Sequence, residues 1–169
     1  IIQNLKTILL SILMTMPYIE LFQLTLATIC GVAIGLERYT NGADAGIRTY
    51  SLVCIGACLF GLVSTHAHGP AYYQSVADPT RIAAQIVSGI GFLGAGIIFR
   101  DHSHVHGVTT AANIWVTASV GLAIAFELYL IAIFTTCIIL IILSSNRWEF
   151  MRKLRNKNNQ YDEMPEHKD

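Results

Sequence analysis

Long apolar runs separated by short polar stretches make up most of this sequence. A transmembrane helix needs about 20 consecutive apolar residues to cross a bilayer core. Five runs approach that length, and the pattern therefore predicts that the chain crosses the membrane five times. Numbered spans 1 to 5 in chain order, the runs cover residues 18–36, 47–64, 82–99, 108–125 and 128–143.

The first 17 residues are also apolar, but they differ from the five spans. Gln3, Asn4 and Lys6 interrupt the run, and Pro17 ends it. Proline inside a helix removes a backbone hydrogen bond and crowds the preceding turn. We therefore expect residues 1–17 to form an interfacial or partly inserted helix of their own. A cleaved signal peptide is the alternative, but the segment has no clear small-residue cleavage site.

Composition agrees with a membrane protein. Hydrophobic residues make up 53% of the chain and charged residues only 13%, which leaves too little polar surface for a soluble globule. The predicted fold class is all-α, a polytopic membrane helical bundle with about five transmembrane helices and an N-terminal interfacial helix. Residues 18–143 are the predicted transmembrane domain, and residues 144–169 are a tail that begins basic and ends acidic.

The distribution of Lys and Arg predicts the orientation, because short cytoplasmic loops and tails are rich in these residues. Basic residues crowd the tail between positions 147 and 157. We therefore expect a cytoplasmic C-terminus, and five spans then put the N-terminus outside. Arg38, Arg48 and Arg100 fall on the cytoplasmic side in this arrangement, whereas Arg81 does not.

Span 3 is rich in glycine and alanine. Ala84, Ser88, Gly91 and Ala95 follow one another at intervals of four, three and four residues, so they form one stripe along a helix. Small residues let two membrane helices approach closely, and we expect span 3 to lie at the centre of the bundle. The complete set of predicted helix-packing residues is Gly31, Gly35, Ala84, Ser88, Gly89, Gly91, Gly94, Ala95 and Gly96.

The head of span 3 has the residues of a helix start. Asp78 is a good N-cap residue, and Pro79 is tolerated at the first helical position. Arg81 and Gln85 lie one turn apart just inside the span, where polar groups are costly and usually face protein or a wet cavity. Two interpretations stay open: they line a site, or they extend towards the membrane interface.

Polar residues also collect at the predicted cytoplasmic ends of the spans. Acidic residues contribute little to orientation, so Glu37 and Asp101 are natural partners for the neighbouring arginines. We expect a polar vestibule at this end, and ordinary interfacial residues are the alternative. Together with the head of span 3, the candidate polar site comprises Glu37, Arg38, Arg48, Asp78, Arg81, Gln85, Arg100, Asp101, Thr109, Thr110 and Asn113.

The sequence predicts neither a metal site nor a catalytic site. Cys54 and Cys58 share a helix face but lack further ligands, so we interpret them as small buried hydrophobes. His102, His104 and His106 alternate in a polar loop, where solvation is favoured and pH sensing or weak metal binding is the alternative. We find no nucleophile–base arrangement, phosphate-binding loop or nucleic-acid-binding pattern. We therefore expect that this protein is not an enzyme and binds no cofactor.

Four motifs taken together resemble those of one family. They are GLER at residues 35–38, AGIRT at 45–49, DPTRIAAQIVSGIGFLGAG at 78–96 and GVTTAANIW at 107–115. Over most of residues 31–121 the chain is similar to the MgtC/SapB family of bacterial inner-membrane proteins. The resemblance implies an inner (plasma) membrane location. The matching motif positions are Glu37, Arg38, Gly46, Arg48, Asp78, Arg81, Gln85, Gly91, Gly94, Gly96, Thr109, Thr110 and Trp115.

Two segments depart from the family pattern. Residues 39–44, between the first two motifs, lack the basic residue that many members carry, which weakens a phosphate-binding or headgroup-binding role for this loop. Residues 125–129 read AFELY where glycines are common. The sequence also looks like a short form without the soluble C-terminal domain of the best-studied members, so functions of that domain are not inferred.

The resemblance implies adaptation to low magnesium, acid stress or survival inside macrophages. Well-known members are described as regulators of a membrane partner, notably the F-type ATP synthase, and this is the function we expect. A channel or transporter for Mg²⁺ or another small ion is the alternative. A path for Mg²⁺ needs carboxylate or carbonyl oxygens. Arginines near both ends of the helical bundle suit an anionic substrate or headgroup better. We also expect contact with the lipid bilayer, a homodimer and no nucleic-acid partner.

Overall fold

The computed structural model is a bundle of helices. It describes the backbone of residues 2–66, 78, 80–101 and 104–144, and the side chains of these residues from 18 onward except His66. The fold class predicted from the sequence is confirmed, with one short two-stranded ribbon added. In chain order the elements are α1 (Ile2–Thr40), α2 (Ile47–His66), α3 (Thr80–Ile97), β1 (Phe99–Asp101), β2 (His104–His106), α4 (Val108–Ala125) and α5 (Tyr129–Ser144).

Four of the helices are long and apolar enough to cross a membrane. The qualifying segments are Tyr18–Thr40, Ile47–Thr65, Thr80–Ile97 and Val108–Ala125, close to the predicted spans 1 to 4. The fifth helix, α5, has 16 residues, or about 24 Å at 1.5 Å per residue, against a bilayer core of about 30 Å. Residues 145–169 lie outside the described part, so the fifth crossing and the tail remain predictions.

The first helix does not end where the sequence predicts. α1 runs without interruption from Ile2 to Thr40 and passes through Pro17. Proline removes one backbone hydrogen bond from a helix, but membrane helices tolerate it because neighbouring groups satisfy the freed carbonyl. The side chains of residues 1–17 are outside the described part, and their interfacial position therefore stays a prediction.

The helix at the centre of the bundle is α4. It packs against α1, α2, α3 and α5, and 56% of its membrane segment is buried, compared with 6% for α3. Ile114, Val120 and Ile124 of α4 are fully buried together with Ile34 and Tyr50 of the first two helices. The prediction that span 3 occupies the centre is therefore wrong for the single chain. Small residues permit close contact, but they do not decide which helix is surrounded.

Glycines bring α2 close to the backbones of α1 and α4. A Cβ placed on Gly31 of α1 would lie 2.8 Å from the Ser51 Cα, and one on Gly35 would lie 2.6 Å from the Ile47 Cα. A Cβ on Gly121 of α4 would meet the carbonyl group of Cys54, whose carbon would be 3.0 Å away. Any larger residue at these three glycines would therefore push the helices apart.

A short β ribbon connects α3 to α4. The antiparallel register pairs Phe99 with His106, Arg100 with Val105 and Asp101 with His104. The ribbon differs from the sequence prediction, in which the helix continued to residue 99 and was followed by a loop. Gly107 ends it with a φ of 82° and lies so close to the Ile97 carbonyl that a Cβ could not fit. His102 and Ser103 lie outside the described residues.

The turn between α4 and α5 places a glutamate in a conformation that favours glycine. Glu127 has a φ of 61°. The Leu128 N–H donates to the Ala123 carbonyl (2.9 Å) and the Glu127 N–H donates to the Ile124 carbonyl (3.1 Å), which is the hydrogen-bond pattern of a Schellman cap. Glycine usually occupies this position because it adopts a positive φ without steric cost, and the departure noted at residues 125–129 therefore strains the backbone.

Replacing Gly121 with alanine is expected to destabilise the bundle. The new methyl group would overlap the Cys54 carbonyl and force α2 away from α4, and overpacking of this kind costs about 1–3 kcal/mol. Thermal unfolding of the purified protein in detergent measures the effect.

The matched control is Gly96→Ala on α3. A Cβ at Gly96 would meet no atom within 4 Å, and alanine favours a helix over glycine by about 0.5–1 kcal/mol. This variant should unfold at the wild-type temperature or above it. Equal losses of stability in the two variants would contradict the packing described for α2 and α4.

Candidate functional site

The structure divides the candidate polar residues between the two ends of the bundle. The Tyr50 hydroxyl contacts the Thr110 carbonyl, so the end of α1 and the starts of α2 and α4 meet at one end. Asp78 and Arg81 lie at the head of α3, whose 18 residues extend about 27 Å to the opposite end. The predicted residues therefore form two separate groups.

Tyr50 is the centre of the first group. Its side chain is 0% exposed, and its hydroxyl donates a long hydrogen bond of 3.5 Å to the Thr110 carbonyl. The side chains of Arg38 and Asn113 also interact with the hydroxyl, and the charge of Glu37 acts on it. Glu37, Arg38, Tyr50, Thr110 and Asn113 are called the polar cluster from here on.

Sequence reasoning missed Tyr50. It stands in an apolar run, where an aromatic residue is usually part of the core. The available signal was its hydroxyl, because a buried tyrosine normally needs a hydrogen-bond partner. Tyr50 lies one turn after Gly46, and its N–H donates to the Gly46 carbonyl over 3.2 Å. The residue therefore lies in the first turn of α2, opposite the end of α1.

Three side-chain atoms of the polar cluster are buried without a hydrogen-bond partner among the described residues. They are Glu37 Oε2, Arg38 Nε and Asn113 Nδ2. Asn113 is only 5% exposed, whereas Glu37 and Arg38 are half-buried. Leaving a buried polar group unpaired costs about 1–3 kcal/mol, and proteins rarely retain several such groups together. The polar cluster therefore has two donors, on Arg38 and Asn113, and one acceptor, on Glu37, that lack hydrogen-bond partners among the described residues.

The local backbone explains why these groups meet. Gly35 allows α1 to touch α2 at Ile47, and Glu37 and Arg38 follow within the last turn of α1. The loop then turns back sharply, with the Ala43 N–H donating to the Arg38 carbonyl over 3.1 Å. The other carboxylate oxygen of Glu37 accepts a hydrogen bond from the Asn41 amide. The contact made at Gly35 therefore determines where the two charged side chains lie.

Other buried polar side chains have ordinary partners. Gln23 donates to the Ile124 carbonyl (3.0 Å) and to the Tyr129 hydroxyl (3.1 Å). Thr117 and Thr136 each donate to the carbonyl four residues earlier in their own helix. Gln23 therefore links α1 to two other helices, and the two threonines make their hydrogen bonds within their own helices. The polar cluster differs because some of its buried groups make no hydrogen bond to the described residues.

The remaining predicted residues at this end do not join the polar cluster. Arg48 and Thr109 are exposed, and so are Arg100 and Asp101 on β1. Of the residues predicted to form a vestibule, the structure places Glu37, Arg38, Thr110 and Asn113 in the polar cluster.

At the opposite end, Asp78 acts as the predicted helix cap. Its Oδ1 accepts hydrogen bonds from the Thr80 N–H (2.9 Å) and hydroxyl (2.7 Å). Arg81 and Gln85 are exposed. Pro79 lies outside the described residues.

The small residues of α3 face away from the bundle. At 3.6 residues per turn, the stripe of Ala84, Ser88, Gly91 and Ala95 lies about a quarter turn around the helix from Gly94, which is buried against Ala111. All four residues of the stripe are exposed. They are called the outer face of α3 from here on.

The described residues form no cluster of His, Cys, Asp and Glu that could hold a metal ion. Cys30, Cys54 and Cys58 are buried free thiols, and Cys137 is an exposed one. His104 and His106 lie near each other on the ribbon, with ring centroids 6.5 Å apart.

Comparison with known proteins identifies the family. The sequence profile of the MgtC family matches residues 24–149, which include α2, α3, α4 and α5 and the polar cluster. The chain belongs to the MgtC family. The resemblance noted in the sequence is thereby confirmed, although no solved structure matches the chain.

Several curated relatives show the same relationship. The chain is 40% identical over 140 residues to "Putative magnesium transporter YhiD" of Escherichia coli K12, covering 82% of this chain and 65% of that protein. It is 40% identical over 131 residues to Protein SapB of Bacillus subtilis, covering 76% and 56%. It is 48% identical over 95 residues to Protein MgtC of Brucella abortus, covering 56% and 37%. The chain thus spans about two thirds or less of the length of these relatives.

Asn113→Leu should cost this MgtC-family protein little stability. The Asn113 Nδ2 has no hydrogen-bond partner among the described residues. The substitution removes the interaction of the side chain with the Tyr50 hydroxyl, but it replaces a polar side chain with an apolar one of similar size. A functional role for the polar cluster predicts that the same variant loses activity in a growth assay at low magnesium.

Gln23→Leu serves as the opposite control. Its amide is buried and makes two hydrogen bonds, so the substitution should cost about 1–3 kcal/mol. Thermal unfolding in detergent compares the two variants. A larger loss in Asn113→Leu than in Gln23→Leu would show that the Asn113 amide has a structural partner.

Proposed function

We propose that this chain supports adaptation to low magnesium, acid stress or intracellular survival by regulating another membrane complex, for example the F-type ATP synthase. The observation that carries the proposal is the outer face of α3. It is a stripe of small residues on a membrane helix, and all four of them are exposed in the described part of the chain.

The outer face suits helix–helix contact better than lipid contact. Each glycine in a helix interior costs about 1 kcal/mol relative to alanine. A Cβ on Gly91 or Gly96 would meet no atom within 4 Å, so neither glycine is required by packing inside the chain. Small residues spaced by four allow a second helix to approach and gain van der Waals contacts. A partner helix would provide those contacts.

A second copy of this chain is also a candidate for contact with α3. A homodimer through the outer face would bury the same four residues on both copies, as two-fold symmetry requires. Regulation of a partner and self-association are compatible if the partner displaces the second copy. We therefore expect a dimer when the purified chain is alone.

The proposed location is the bacterial inner membrane with a cytoplasmic C-terminus. Arg38 at the end of α1, Arg48 at the start of α2 and Arg100 after α3 all lie at the same end of the bundle as the polar cluster. Positive residues flanking membrane helices favour the cytoplasm. The polar cluster would then face the cytoplasm, and the head of α3 would face the opposite side.

Ser88→Leu is expected to abolish the regulatory effect. The larger side chain would hold any partner helix away from the outer face. The measurement is ATP-driven proton pumping in inverted membrane vesicles that contain the ATP synthase, with and without this protein. Wild-type protein should change the pumping rate, and Ser88→Leu should leave the rate at the level of vesicles without it.

Thr25→Leu is the matched control. Thr25 is exposed on α1 and donates to the Leu21 carbonyl of its own helix, and α1 packs against α2, α4 and α5. The substitution adds comparable bulk far from the outer face and should retain wild-type regulation. If wild-type protein leaves pumping unchanged, the ATP synthase is not the partner; if both variants regulate normally, α3 is not the contact.

Transport of Mg²⁺ or another small ion is the second candidate function. Two observations favour it: Glu37 has a buried carboxylate oxygen without a hydrogen-bond partner among the described residues, and the Escherichia coli K12 relative is named "Putative magnesium transporter YhiD". Mg²⁺ usually retains several waters and binds one or two carboxylates. Arg38 lies directly beside Glu37 and opposes a cation there, so we rank transport below regulation.

Flux measurements separate the two functions. Proteoliposomes containing only the purified chain are tested for movement of Mg²⁺, K⁺, H⁺ and phosphate, with Glu37→Gln as the variant. The regulator proposal predicts no selective flux from either protein. Selective Mg²⁺ flux that disappears in Glu37→Gln would establish transport and overturn it.

A further inference from the structure

A groove lies between α2 and α3 and is not filled by the described part of the chain. Its volume is about 630 Å³, and its lining is apolar apart from Gln85. Gly56 on α2 and Gly89 on α3 form opposite walls. A Cβ at either glycine would meet no atom within 4 Å. The two helices are therefore separated at these glycines, although neither residue has a side chain that would prevent closer contact.

The groove opens sideways from the bundle. Phe60 at its rim is 60% exposed, Leu52 is 69% exposed and Leu93 is 49% exposed. Both walls are helices that qualify as membrane spans, and the opening therefore faces hydrocarbon. An apolar space of this size in contact with lipid would be occupied by hydrocarbon, because an empty cavity forfeits the contacts of every atom that lines it.

The dimensions of the groove match one leaflet of a bilayer. Its lining on α3 extends from Ile82 to Leu93, a rise of about 16 Å at 1.5 Å per residue. Half of a hydrocarbon core is about 15 Å. One acyl chain inserted from the head of α3 would therefore lie in the groove along its whole length.

The positive charge at the end of the groove near the head of α3 favours a lipid with an anionic headgroup. Arg81 immediately precedes Ile82, and its side chain is exposed. The Asp78 carboxylate at the same end accepts two hydrogen bonds from Thr80, which engage it in capping the helix. A guanidinium binds phosphate oxygens through several donors in one plane, and basic groups beside membrane grooves bind anionic headgroups. Gln85 adds an amide donor one turn deeper.

We propose that the groove between α2 and α3 binds one acyl chain of an anionic phospholipid whose phosphate lies at Arg81. The site lies on the leaflet at the head of α3, opposite the polar cluster. It is a different surface from the outer face of α3, because Gly89 points towards α2 whereas Gly91 points away from the bundle. The proposal is therefore independent of the regulatory role.

Native mass spectrometry of the detergent-purified chain tests the proposal. Phosphatidylglycerol and phosphatidylcholine with identical acyl chains are added in turn, and the fraction of protein carrying one lipid is measured. Wild-type protein should favour phosphatidylglycerol by about fivefold, the expected effect of a single arginine near a lipid surface. Arg81→Gln should remove that preference.

Filling the groove should prevent binding of both lipids. Gly89→Phe places a ring in the space of the acyl chain and should reduce lipid binding by about tenfold or more. Gly56→Phe fills the same space from the opposite wall and should give the same result. The second variant provides the test if the first fails to fold, as judged by a monodisperse size-exclusion profile.

Two controls carry the same chemical changes at other positions. Gly91→Phe adds the same ring on the outer face of the same helix, and Arg48→Gln removes the same charge at the opposite end of the bundle. Both should bind lipid as the wild type does. Wild-type binding in folded Gly89→Phe and Gly56→Phe would overturn the proposal, and so would equal binding of the two lipids by wild-type protein. Loss of a dimer in Gly89→Phe without loss of lipid would also overturn it, since a second copy would then occupy the groove.

Discussion

The backbone contact that α2 makes with α1 and α4 is the constraint on which the rest of the structure depends. Gly35 lets α1 reach Ile47, and Gly121 lets α4 reach Cys54. In a bilayer the hydrophobic effect does not drive helices together, so close packing of this kind has to supply the attraction. The same contacts bring the end of α1, Tyr50 and the first turns of α4 to one place. The polar cluster is therefore a consequence of how these three helices pack.

Buried polar side chains at the two ends of the bundle differ in how completely they are hydrogen-bonded. Gln23 is buried with both its hydrogen bonds made to neighbouring helices, and it acts as a fastening between them. Arg38 and Asn113 each retain a buried donor without a partner in the described chain. Such groups lower stability, and proteins commonly accept that cost where function requires it. The polar cluster is thus the end of the bundle where buried donors lack partners among the described residues.

The glycine-rich helix α3 has three faces with different surroundings. One face, around Gly94, packs on α4. A second, around Gly89, borders the groove towards α2, and the third is the exposed stripe that includes Gly91. A peripheral helix with two unoccupied faces can take a partner helix and a lipid at the same time. Most of the small residues of α3 are therefore not needed for the fold of a single chain, since only Gly94 of this helix is buried.

The sequence by itself determined the class of protein, the first four spans and the family. Apolar length and motif order are local properties, because each helix satisfies its own backbone hydrogen bonds in lipid and must match the bilayer thickness. Glu37, Arg38 and Asn113 were likewise recognisable as polar residues in costly positions. Which of them meet, and that Tyr50 joins them, was decided only by the tertiary structure.

The placement of α3 shows the same limit. Its spacing of small residues indicates a helix made for contact, yet Gly91 and Gly121 look alike in sequence and differ completely in the folded chain. One lies on an exposed face and the other touches the backbone of α2. Close helix packing is a property of two surfaces together, so the tertiary structure alone determined that α4, rather than α3, is surrounded.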